Sequence, residues 1–214
     1  ENKVNLVFDL DGTLIDSSKG IFFAYKNAIN NSAGSIKNIG FSKFKEYIGP
    51  PFEIMIRDIH PKLNKNEISL IIKDFRKIYD THAFLSYEIY DNIKNCLRDL
   101  KKFNYFLYVL SNKKDVPTKI IINKEFPDIF TNIWGKQGKD FDKAEILKGL
   151  KINNPNGKNL FIGDTISDFK SSIKADMDFL YASYGFGKIN QSDEFIKCEK
   201  TIFLKKSIFK YLEN

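Results

Sequence analysis

Two pairs of acidic residues stand where apolar runs of this chain end. VNLVF (residues 4–8) runs into Asp9-Leu10-Asp11-Gly12, and NLFIG (159–163) runs into Asp164, with Asp168 four residues on. In an extended strand, positions i and i+2 share a face, so Asp9 and Asp11 direct both carboxylates toward one site at the strand's carboxyl end. Like charges this close raise each other's pKa unless a proton or a cation separates them. A hard divalent cation with oxygen ligands would relieve the repulsion. Gly12 gives the backbone a tight turn and a close approach to a ligand, and such turns aim amide N–H groups at anions. Asp168 falls on the first turn of the helix that follows, near Asp164.

A third apolar run, YFLYVL (105–110), ends at Ser111-Asn112-Lys113. The Ser111 hydroxyl and the Asn112 amide suit a phosphate oxygen. Lys143 opens a helical pattern between the strand that ends at Ser111 and the strand that ends at Asp164. An Asp-x-Asp pair alone is as often a turn as a site. Acids for a metal, neutral donors for an oxyanion and an ammonium on one sheet edge make the stronger argument.

These groups need strands to carry them. The apolar runs at 4–9, 105–110 and 159–163 read as buried strands, with shorter runs at 178–182 and 201–204 and a weak one near 131–134. Helical spacing marks residues 92–103, through Ile93, Cys96, Leu97, Leu100 and Phe103, and residues 143–150, through Ala144, Ile146, Leu147 and Leu150. A shorter helical segment covers 168–175. Apolar strands alternating with amphipathic helices predict an α/β fold, a Rossmann-like parallel sheet with helices on both faces. In open sheets of this kind ligands bind at the carboxyl ends of the strands.

One region breaks the alternation. Residues 19–30, 41–48, 52–59 and 66–79 show helical patterns, with Gly49-Pro50-Pro51 between the middle two and no convincing strand. The spacing predicts an all-helical domain over residues 16–83, inserted into a core made of 1–15 and 84–214.

The chain has 214 residues, 43% of them hydrophobic, enough for a sizeable core. Its net charge is +7, mainly from lysine, since only Arg57, Arg76 and Arg98 are arginines. The lysines are scattered, many beside acids, as in NKNE (64–67) and KSSIKAD (170–176), and no nucleic-acid-binding pattern appears. An affinity for small anions is the expected consequence, and no nucleic-acid partner. No apolar run approaches the roughly 20 residues of a membrane helix, and VNLVF is too short for a secretory signal. Cys96 and Cys198 form no paired motif, so a reducing cytoplasm is expected. Oligomeric state leaves no mark in the sequence.

FDLDGTLIDS (8–17), VLSNK (109–113), Lys143 and FIGDTISD (161–168), in that order, resemble the four motifs of the haloacid dehalogenase-like hydrolase superfamily. The resemblance spans essentially the whole chain. The helical insertion is similar to the cap of the phosphoglycolate-phosphatase-like branch. It implies an enzyme, a phosphatase of small phosphorylated metabolites, with Asp9 as nucleophile and Asp11 as general acid/base. It implies Mg²⁺ held by the Asp9 carboxylate, the Asp11 backbone carbonyl and Asp164, with Asp168 behind them. Ser111 and Lys143 would take the transferring phosphoryl oxygens, supported by Gly12 and Asn112. Lys139, four residues earlier, is the alternative to Lys143.

Asp11 argues against dehalogenation, because that branch lacks this second acid. A β-phosphoglucomutase-like transferase shares the core and stays as an alternative, as does a silent phosphate-binding module. YIGPPF (47–52) and YGFG (184–187) resemble the phosphoglycolate-phosphatase-like and 5′-nucleotidase-like members. A phosphoglycolate-type ester or a nucleoside monophosphate is therefore the expected substrate. Phe52 and Arg57, after the double-proline turn, are the residues expected to read it.

Overall fold

The computed structural model describes residues 3–32, 39–189 and 195–213. The strands run β1 (Val4–Phe8), β2 (Ile15–Asp16), β3 (Glu88–Ile89), β4 (Phe106–Lys114), β5 (Asn132–Lys136), β6 (Lys158–Gly163), β7 (Asp178–Ala182) and β8 (Ile196–Cys198). The helices run α1 (Ser18–Ser32), α2 (Phe41–Lys45), α3 (Phe52–Ile59), α4 (Lys65–Thr81), α5 (Ile93–Lys102), α6 (Asp115–Glu125), α7 (Lys143–Ile152), α8 (Ile166–Lys174) and α9 (Leu204–Glu213). The residues divide into two compact units, one of 1–15 and 89–214 and the other Asp16–Glu88.

In the first unit six strands pair in the order β5-β4-β1-β6-β7-β8, and every described pairing is parallel. β1 lies inside the sheet, with Leu6, Val7 and Phe8 fully buried, as expected for a parallel strand covered on both faces. The register sets Phe8 beside Val109 of β4 and Ile162 of β6. β1 and β6 therefore finish at nearly one level while β4 runs on to Lys114, and the residues after Phe8, Leu110 and Gly163 converge. Val7, Leu110 and Phe161 of those strands pack with Leu147 of α7 and Phe169 of α8 in one apolar cluster. That cluster fixes where α7 and α8 begin.

Three parts differ from the sequence expectation. The run TIFL (201–204) is not a strand: Thr201–Phe203 forms a 3₁₀ turn leading into α9, whose Leu204, Ile208 and Tyr211 are buried at helical spacing. The last strand is the shorter β8 before it. α6 has no counterpart in the expected elements. Its Pro117 lies in the first turn, where a missing N–H costs nothing. β4 also continues past Leu110 to Lys114, so the polar residues Ser111–Lys114 are still strand.

The second unit is helical and continues past residue 83. The 3₁₀ turn Ala83–Leu85 packs on α1 and α4, and the Gly20 amide donates to Ser86 O at 3.1 Å. A Cβ on Gly20 would fall 2.2 Å from Ala83 O, so only glycine admits this approach. α4 opens on a capping box: the Asn64 side chain accepts from the Asn66 and Glu67 amides, and Glu67 accepts from the Asn64 amide. The interior of the unit is aromatic. Phe75 stacks on Phe52 at 3.6 Å between centroids and on Tyr79 at 5.3 Å. We expect Phe75→Ala to cost about 3–5 kcal/mol, the usual range for a buried aromatic truncated to a methyl group. Urea denaturation followed by circular dichroism measures this; a loss under about 1 kcal/mol would mean that the stack does not hold the unit.

Candidate active site

Asp9 follows β1 directly, and its amide donates to Ile162 O at 2.8 Å, continuing the ladder to β6. Lys143 is the first residue of α7, N-capped by Asp142 through the Ala144 amide. Asp168 is the third residue of α8 and forms a capping box with Thr165. Three element ends thus deliver one buried cluster. Lys143 Nζ donates to Asp168 Oδ1 at 2.7 Å and lies 3.0 Å from Asp9 Oδ1. Asp168 Oδ2 accepts from the Thr165 hydroxyl at 2.6 Å and from its amide at 3.1 Å. Both oxygens of Asp168 are therefore engaged.

Asp164 follows β6 directly and is fully buried. Its Oδ2 accepts from the Phe186 amide at 2.8 Å and the Gly187 amide at 3.2 Å. The loop that supplies these amides is pinned by the Tyr184 hydroxyl, which donates to Thr13 O at 2.9 Å. Gly12 makes room for the carboxylate. Its φ is +78°, and a Cβ there would stand 2.1 Å from Asp164 Oδ2. Gly185 closes the other side: a Cβ on it would meet Gly12 O at 2.2 Å.

Asp9, Asp164 and Asp168 each offer one carboxylate oxygen within 4.8 Å of the others. Asp9 Oδ1 and Asp164 Oδ1 are buried and without a hydrogen bond among the described residues. Buried carboxylate oxygens of this kind are hard donors that fit a divalent cation. The energetics agree. Burial pushes the Asp9 carboxyl from its ordinary 3.8 up to about 7; Lys143 opposes this, while Asp168 and Asp11 add to it. Burial also holds Asp164 well above its ordinary value, with Asp168 and Asp9 reinforcing it against the two amides. For Lys143, burial alone would lower the pKa, but the carboxylates of Asp168 and Asp9 outweigh it and raise it.

The expected site residues fall into distinct places. Asp9, Lys143, Asp164 and Asp168 meet, whereas Lys139 is exposed. Ser111 is buried, its Oγ accepting from the Lys113 amide at 3.2 Å. Asn112 is exposed: β4 alternates through this stretch, so Asn112 lies on the opposite face from Ser111. The Gly12 amide is likewise spent inside its own turn, donating to Ile15 O at 2.8 Å. Gly12 clears space for Asp164 and is not an outward donor. Phe52 is an interior residue of the helical unit, and Arg57 is exposed and ion-paired to Glu53 on the same helix at 2.8 Å. One residue was missed. Lys113, which is buried, brings its ammonium 3.1 Å from Asp11 Oδ1. Ser111 and Lys113 are two apart on a strand and so share a face.

Two outcomes follow from this geometry. The folded, metal-free protein holds a proton on Asp9 that the unfolded chain releases near 3.8. This contribution to stability is full below that value and is lost as the pH rises through about 7. Urea midpoints in EDTA should therefore fall between pH 5 and pH 8, and a divalent cation should restore more at pH 8. Asp9→Asn should shrink the fall; an unaltered fall in that variant would assign it to other groups. Gly12→Ala should cost about 1–2 kcal/mol for its left-handed backbone and also displace Asp164. Calorimetric titration with a divalent cation should show weakened binding, and wild-type affinity would contradict the clearance argument.

The haloacid dehalogenase-like hydrolase model matches residues 6–182. A phosphoglycolate phosphatase of Aquifex aeolicus is 28% identical over 197 residues, covering 86% of this chain and 87% of its own length. One of Psychrobacter arcticus is 28% identical over 199 residues, covering 86% and 85%. In fold, the chain is similar to a putative phosphatase from Clostridium difficile, with a TM-score of 0.80 at 24% identity over 96% of this chain and 98% of that one. The chain belongs to the haloacid dehalogenase-like hydrolase family and is a phosphatase of it.

Proposed function

We propose that the chain is a Mg²⁺-dependent phosphatase of small phosphomonoesters, of the phosphoglycolate or nucleoside monophosphate kind, working through an aspartyl-phosphate. The observation that carries this reading is the buried Asp9 carboxylate, 3.0 Å from Lys143 and beside Asp164 Oδ1, which has no hydrogen bond among the described residues. Mg²⁺ would be held by the Asp9 and Asp164 side chains and the Asp11 carbonyl. When bound it would offset the charge of the phosphoryl oxygens.

The remaining work falls to the chain. Asp9 attacks phosphorus, so that a carboxylate O–P bond forms as the ester P–O bond breaks. Asp11 gives a proton to the departing oxygen. An ammonium has three donors. Lys143 uses one on Asp168 and directs another toward Asp9, which leaves the third for a phosphoryl oxygen. The Ser111 hydroxyl takes another such oxygen. Water then attacks the phosphoryl group, Asp11 accepts its proton, and the Asp9–P bond breaks to release phosphate. Asp168 holds the lysine in place. The helical unit Asp16–Glu88 is the candidate cap that selects the leaving group and excludes water.

A phosphate-release panel of metabolites, run with p-nitrophenyl phosphate, tests this reading. Activity should appear with Mg²⁺ and vanish with EDTA. Asp9→Asn should lower kcat on the order of 10⁴-fold or more, as loss of a nucleophile does. Wild-type turnover in Asp9→Asn would rule out the covalent route. Glucose 6-phosphate formed from β-glucose 1-phosphate in the presence of the bisphosphate would point to a mutase instead.

A further inference from the structure

Asp11 carries the proton in the mechanism above, and its carboxylate needs a fixed direction. Its backbone is already fixed. The turn after β1 is closed by Gly12 N to Ile15 O at 2.8 Å and Leu14 N to Leu10 O at 2.9 Å. These bonds leave the side chain free to rotate. What the structure sets against it is Lys113 Nζ, 3.1 Å from Asp11 Oδ1. The Lys113 side chain is 3% exposed and that of Asp11 24%. The ammonium and Asp11 Oδ1 are both hidden, while the Asp11 side chain as a whole stays partly exposed.

Exposure alone does not assign Lys113 a role, since the Lys143 side chain is equally buried. Stability does not account for the buried ammonium. Burying a charge costs several kcal/mol, and a well-packed apolar side chain in place of a buried pair is often neutral or stabilising. The backbone of Lys113 is itself anchored. Its amide donates to Ser111 Oγ at 3.2 Å, and its carbonyl accepts from the Thr118 hydroxyl at 3.3 Å.

We propose that Lys113 is a positioning residue that aims the Asp11 carboxylate at the leaving-group oxygen, while its amide sets the Ser111 hydroxyl. One strand residue thereby orients both the proton donor and a phosphoryl-oxygen contact. This rests on the reading of Asp11 as the acid/base. A misplacement of about 1 Å at such a group can cost on the order of 100-fold in rate.

The test compares kcat/KM for two esters, p-nitrophenyl phosphate and the fastest alkyl phosphate of the metabolite panel. The aryl ester leaves without needing a proton; the alkyl ester needs one. Asp11→Asn should lose about 10²–10⁴-fold on the alkyl ester, the range for general acid catalysis, and at least tenfold less on the aryl ester. Lys113→Met should show the same selectivity at about 10–100-fold on the alkyl ester. The double variant should be no slower than Asp11→Asn alone. Lys113→Gln, which keeps a polar end without the charge, is expected to lose selectively as well and serves if the Met variant is poorly folded.

Equal losses on both esters in the Lys113 variants, or a double variant slower by the product of the two single losses, would overturn the positioning role while leaving Asp11 in place. Equal losses in Asp11→Asn would instead remove the acid/base reading, and this proposal with it.

Discussion

A lysine ammonium buried among carboxylates sets the terms for the rest of the first unit. Lys143 bonds to Asp168 and lies against Asp9, and all three are nearly removed from solvent. Removing one partner from such a group typically costs about 3–5 kcal/mol, because it strands a buried charge. The three residues come from the end of β1, the first residue of α7 and the first turn of α8. The positions of those elements are therefore tied to the chemistry as well as to the apolar cluster of Val7, Leu110, Leu147, Phe161 and Phe169. With Asp164 counted, three carboxyl groups share one ammonium. Burial raises the Asp9 and Asp164 pKa values, the neighbouring carboxylates add to the rise, and a cation suits the site.

Asp164 shows how closely backbone and charge are matched. Two amides of the 184–187 loop hold one of its oxygens, and the other has no hydrogen bond among the described residues. The loop can come so near because Gly12 and Gly185 lack side chains at the points of approach. The Tyr184–Thr13 bond then ties this loop to the turn that carries Asp11. The order of the acids is thus imposed from the main chain outward.

Much of this was legible from sequence, for a physical reason. A buried parallel strand is a continuous apolar run, so an acid ending such a run is conspicuous. Asp9 and Asp164 stood out in that way, and Asp168 stood out through the helical offset after Thr165. The exceptions share a cause. The apolar part of β4 stops at Leu110, but the strand runs on through polar residues to Lys114. Strand alternation would have put Asn112 outside and Lys113 inside with Ser111. In a chain so rich in lysine, Lys113 carried no compositional signal. α6 escaped because its sequence, DVPTKIIINKE, has a proline and a weak apolar stripe. The run at 201–204 misled because its four residues are too short to separate a strand from the opening of α9. Phe52 and Arg57 follow the double-proline turn, and the sequence does not display that Phe52 stacks on Phe75 or that Arg57 pairs with Glu53.

The chain leaves the first unit at Ile15–Asp16 and returns at Glu88–Ile89, and those two short strands pair with each other. The departure and return points are therefore neighbours. Neither belongs to the six-stranded sheet that carries Asp9, Ser111 and Asp164. The intervening seventy-odd residues behave as a cassette, open to lengthening, exchange or redesign with the sheet's register left intact. In such an arrangement the helical unit and the sheet unit can vary in sequence separately.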